Sequence, residues 1–95
     1  MNDYSGDNSD YTPIDCELYS RYELAIMHRQ RLRVAWRDDD GQSHIDALYP
    51  INLHSHNRAE FLLAKNRFGK ILELRLDRII KADPVAAPRK AASRK

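Results

Sequence analysis

The sequence predicts a mainly β domain with one N-terminal α-helix, its sheet a small barrel of about five short antiparallel strands. Three observations point there. Residues 11–25 (YTPIDCELYSRYELA) carry apolar side chains at helical spacing. RLRVAWR at 31–37 and ILELRL at 71–76 alternate apolar with polar residues, as half-buried strands do. Turn-forming residues punctuate the chain at 38–41 (DDDG) and 66–69 (NRFG).

The helix begins between Pro13 and Cys16. Thr12 and Asp15 each offer a side-chain oxygen to the first free amides, and Pro13 gives up no donor that a helix start needs. Leu18, Tyr22, Ala25 and Ile26 share one face, with Tyr19 at its edge, so this face requires a core. Beside it Cys16, Tyr19, Ser20, Glu23 and Met27 form a margin suited to a solvated rim or a docking surface. His28, Arg29 and Gln30 end the helix, where basic groups meet the partial negative charge of the last carbonyls.

In the first strand, 31–37, Leu32, Val34 and Trp36 face inward and Arg31, Arg33 and Arg37 outward. Gly41 supplies the positive φ of the next turn, which three successive aspartates keep solvated. A strand over 43–49 is expected to put Ile45, Ala47 and Tyr49 on the core side, with Pro50 ending or bending it. Residues 51–58 (INLHSHNR) lack a clean period and read as a loop or as a bulged continuation of that strand. AEFLLAK at 59–65 is apolar on both faces, as an interior strand is. At 71–76 Leu72, Leu74 and Leu76 face the core, with Glu73 and Arg75 outward. Asp77 and Arg78 turn the chain into a short last strand over 79–82, and Pro84 stops it. A helix followed by such strands is the element order of Sm-like and SH3-like barrels.

The 95 residues suffice for one small domain, near the lower size at which a single core holds without staples. Residues 1–10 and 84–95 have almost no large aliphatic side chains and are expected to stay disordered, leaving 11–83 as the folded unit. One cysteine excludes an internal disulfide and fits a reducing, cytoplasmic setting. No signal-peptide core and no apolar run approaching about 18 residues is present.

The net charge of +2 is unevenly spread. Residues 1–46 hold ten acids against five bases, and 47–95 hold four against eleven. Four bases lie in the last twelve residues, so the high pI belongs to the tail and does not by itself mark a nucleic-acid binder.

No Gly-rich phosphate loop, nucleophile elbow or HExxH run occurs, so no catalysis is expected. His54 and His56 share one face of an extended segment, but no third ligand stands at a recognisable spacing, so neither metal nor cofactor is expected. The stripe Arg31, Arg33, Arg37, with Asp46 and Glu60 expected beside it, reads first as a solvated face with weak ion pairs.

Two stretches resemble the bacterial Rho-binding antiterminator family, Rof. One comprises Tyr11, Pro13, Ile14, Cys16, Tyr19, Glu23, Leu24 and Ala25; the other runs Glu73, Leu74, Arg75, Leu76, Asp77, Arg78, Ile79. The resemblance covers nearly the whole of 11–83. It implies an Sm-like fold and a stoichiometric, non-enzymatic inhibitor that docks on the primary RNA-binding domain of the transcription termination factor Rho and blocks RNA loading. The expected partner-binding residues are Asp15, Glu17, Tyr19, Ser20 and Glu23 on the helix, with His56, Asn57 and Arg58 in the neighbouring loop. Tyr19 and Glu23, one helical turn apart, lead that set. Asp15 doubles as a cap, and Glu17 is a first-turn acid favoured by the helix dipole. Ser20, followed by Arg21, stands where the family carries an acid. A monomer is expected, with no membrane association. The alternative expectation is a small Sm-like module that binds RNA weakly through the arginine stripe and the basic tail.

Overall fold

Asp15 caps the helix: its carboxylate accepts the Glu17 amide at 3.1 Å, and α1 spans Cys16–Met27. Thr12, the other expected cap, is used elsewhere, its own amide donating to Asp77 Oδ2 at 3.0 Å. Tyr22 and Ala25 are buried, and Leu18, Tyr19 and Ile26 pack at their margin, the face expected from the periodicity. At the other end the amide of Arg29 donates to the Ile26 carbonyl and that of Gln30 to the Ala25 carbonyl, the paired bonds of a Schellman stop. Arg29 closes it at φ 54°, a left-handed position usually given to glycine.

The computed structural model describes residues 10–85. After α1 follow β1 (Leu32–Arg37), β2 (Ser43–His56), β3 (Ala59–Lys65), β4 (Ile71–Arg75), a short 3-10 turn (Leu76–Arg78) and β5 (Ile79–Pro84). All pairings are antiparallel, in the order β4-β3-β2-β1-β5. The result is the expected mainly β, Sm-like architecture, except that the ladder stays open between β4 and β5. The core lies between α1 and the sheet, where Val34, Leu48, Leu62 and Ala64 are fully buried. Each large aliphatic among them contributes roughly 1.5–3 kcal/mol.

Residues 51–58 resolve in favour of the bulged strand. The register shifts between Pro50 and Asn52, and β2 continues to His56. Asn57 and Arg58, both at positive φ, then make a two-residue hairpin turn of the twist that suits flanking strands.

Two inward-outward assignments are corrected. On β2 the buried residues are Leu48 and Pro50, whereas Ile45 and Tyr49 are 69% and 47% exposed. The phase follows from the β1–β2 register, which sets Leu48 opposite Leu32. The 38–42 loop closes that hairpin: Asp38 exchanges backbone bonds with Gln42 and Gly41, and its carboxylate accepts the amides of Asp40 and Gln42. On β4, Arg75 is only 7% exposed rather than outward. Its guanidinium forks onto Asp10 (2.9 and 3.2 Å) and Asp77 (2.7 and 3.0 Å), and lies 5.8 Å from the Tyr11 ring. A buried charge persists only with such partners.

Asp10 is tied into the fold by Arg75; Pro84 pairs with Leu32, and the Val85 amide donates to the Arg31 carbonyl. The rest of the expected disordered ends, 1–9 and 86–95, lies outside the described residues. Among the described residues no helix is long and apolar enough to cross a membrane.

Candidate functional site: an acidic helix rim and a histidine-rich hairpin tip

The helix margin is a groove wall. Tyr19, Ser20, Glu23 and Met27 of α1 face Asn52 and Leu53 of β2 across it, and Met27 and Leu24 are 72% and 51% exposed. Tyr19 packs its ring at the core edge while its hydroxyl lies in a negative environment. Burial, followed by the charges of Glu60 and Glu23, holds its phenol above the ordinary value. Asp15 and Glu17 are exposed on the first turn, which makes this flank of the helix acidic.

Glu60 joins this site instead of the arginine stripe. It stands opposite Ser55 on the helix side of β3, where Tyr11 Oη donates to its Oε1 at 3.3 Å. Burial and the Glu60 charge together push the Tyr11 phenol up to about 12. The sequence carried one hint of this: Glu60 is the lone polar residue in the run AEFLLA at 59–64.

The other expected contacts lie elsewhere. His56 and Asn57 line a second groove with Trp36, Asp39, Glu73 and Arg78, and among the described residues this groove shares none with the helix rim. Alternation explains the separation: Leu53 and Ser55 point to the helix side of β2, and His54 and His56 to the opposite face. Arg58 is exposed at the hairpin tip. Asp39 pairs with Arg78, and the neighbouring Asp38 carboxylate accepts from His44 Nε2 at 2.7 Å. That bond, with the backbone amide of Gln42, holds the Asp38 carboxyl below its usual range. His44 also stacks on Trp36 at 5.2 Å.

On this face the two histidines meet the third group that their sequence spacing lacked. Glu73 of β4 receives both, its Oε2 lying 2.7 Å from His54 Nε2 and 3.3 Å from His56 Nε2.

A third feature is the outer face of β1 and β2. Arg31, Arg33 and Arg67 surround Ile45, Asp46 and Tyr49, with the Arg31 guanidinium 5.7 Å from the Tyr49 ring. Asp46 lines this groove with Arg31 and Arg33 but pairs, at 3.8 Å, with Arg67, outside the expected stripe, and Arg37 lines the groove of His56 and Asn57 instead.

The two stretches that carry the family resemblance are in contact. Tyr11 and the Thr12 amide meet Arg75 and Asp77 at the corner between β4 and β5. No family model and no curated protein matches the chain. Among solved structures it is similar to proteasome accessory factor B/C (PafBC) of Arthrobacter aurescens, with TM-score 0.69 and 16% identity. The match covers 92% of this chain and 15% of that one, so the likeness is one of fold within a much longer protein.

Proposed function

We propose that this chain is a non-enzymatic inhibitor of the transcription termination factor Rho, docking on its primary RNA-binding domain and excluding RNA. The observation that carries the reading is the acidic helix rim, where Glu23 and Glu60 flank Tyr19 beside the exposed Met27. Rho's RNA-capture domain is a basic surface built for phosphates. Carboxylates around an aromatic ring offer it a protein substitute for a phosphate and a base. The resemblance to Rof in residues 11–25 and 73–79 supports the same partner. A monomer in a reducing, cytoplasmic setting goes with this reading, and the exposed thiol of Cys16 is compatible with it.

The test is titration of the full chain into purified Rho by calorimetry, with and without a pyrimidine-rich RNA. A saturable complex that competes with RNA is expected. Absence of a complex at low salt sinks the proposal.

One observation favours a second reading, an RNA-binding module: the groove in which Arg31, Arg33 and Arg67 surround Tyr49 and Ile45. Three arginines contacting phosphates give a log-log salt slope of about −2 on a single strand. Affinity should also fall on deletion of residues 86–95, which removes the four tail bases and leaves Pro84 and Val85 in place. RNA not retained at about 50 mM salt ends this alternative.

A further inference from the structure

We infer that His54, His56 and Glu73 form a binding site for a divalent transition metal of the zinc class. Their potential ligand atoms all lie within 4.8 Å of one another. The residues come from two strands that are not hydrogen-bonded neighbours. His54 and His56 project from one side of β2, Glu73 from β4, and β3 runs between them. What brings them together is Phe61 of β3, buried with its ring centroid 5.5 Å from that of His54 and 4.7 Å from that of His56. The imidazoles stack on each other at 5.2 Å, which holds their Nε2 atoms side by side.

The donor set decides the class of ion. Two imidazoles and one carboxylate suit zinc and its neighbours, whereas calcium and magnesium take oxygen ligands. Zinc bonds of about 2.0–2.2 Å in a tetrahedron place ligand atoms about 3.4 Å apart. Glu73 Oε2 already lies 2.7 and 3.3 Å from the two nitrogens, close to that spacing, and the three side chains are half-exposed or exposed, so they have room to adjust around an ion. Three protein ligands leave a fourth coordination position for water or for a group on a partner.

The test is calorimetric titration of the full chain with zinc chloride. Saturable binding of one ion per chain is expected. His54→Gln, His56→Gln and Glu73→Gln should each weaken it by more than about tenfold, the scale set by even indirect partners of metal ligands. His28→Gln, His44→Gln and Cys16→Ser should leave it unchanged. In the unsubstituted protein, zinc should shift the imidazole proton resonances of His54 and His56 and leave those of His28 and His44 in place; this reading does not depend on any variant folding. Unsaturable binding, binding that survives His54→Gln with Glu73→Gln, or binding lost with Cys16→Ser overturns the inference.

Discussion

Two residues show how a single side chain answers to the backbone and solvent around it. Arg29 holds the helix stop at φ 54°, where a β-carbon costs about 1–2 kcal/mol. Glycine carries no such cost but has more chain entropy to lose. Arg29→Gly is therefore expected to raise stability by a net of about 0.5–1 kcal/mol, seen as a higher urea midpoint at unchanged slope. Tyr11 speaks through pH. Its phenol is pushed from 10.0 to about 12 by burial and by Glu60, so the fold favours the neutral ring. That preference stabilises fully below about pH 10 and is lost as pH rises toward 12. Tyr11→Phe should flatten part of this alkaline decline in melting temperature. Tyr19 and Tyr22, also raised by burial, act in the same direction. An unchanged alkaline limb would show that the Tyr11–Glu60 contact carries none of it.

At the scale of the element, what the sequence made legible was whatever the chain decides locally. The helix face, the alternation of β1, the bounds of β3 and the turns at Gly41 and Gly69 all follow from spacing or from a positive φ. The phase of β2 does not. SHIDALYP offers Ile45, Ala47 and Tyr49 on one side and Leu48 and Pro50 on the other, so apolar counting favours the wrong face. Closure of the 38–42 loop sets the register, and a shift by one residue exchanges the two faces. The burial of Arg75 was hidden for the same reason, since its partners Asp10 and Asp77 meet only in the folded chain. So was the link from His54 and His56 to Glu73, which crosses an intervening strand. The β2 phase has a direct consequence. Leu48→Ala should cost about 2–5 kcal/mol, as a fully buried leucine does, while Ile45→Ala should stay within about 0.5 kcal/mol. Equal losses in chemical denaturation would mean that the two faces had been exchanged.

Across the whole molecule, the helix rim and the outer sheet face carry opposite charge, and this lets one pair of substitutions assign the partner. Glu23 sits beside Tyr19 on the acidic wall of the helix groove, and Arg33 in the basic groove of β1 and β2. Both side chains are exposed, so reversing either charge leaves the core untouched. If the helix rim meets the basic RNA-capture surface of Rho, Glu23→Lys places like charge against like, slowing association and weakening the complex by about tenfold at low salt. Added salt screens that repulsion over a Debye length of about 10 Å at 0.1 M, so the defect should shrink as ionic strength rises. Arg33→Glu should leave the Rho complex unchanged or slightly tighter, because it removes a positive charge from a protein approaching a positive partner. The opposite pattern, with Glu23→Lys silent and Arg33→Glu abolishing retention of RNA, would transfer function to the sheet face. Measuring both variants against Rho and against a single-stranded RNA, each at two salt concentrations, separates the readings, because circular dichroism and the melting temperature of either variant should match those of the parent chain.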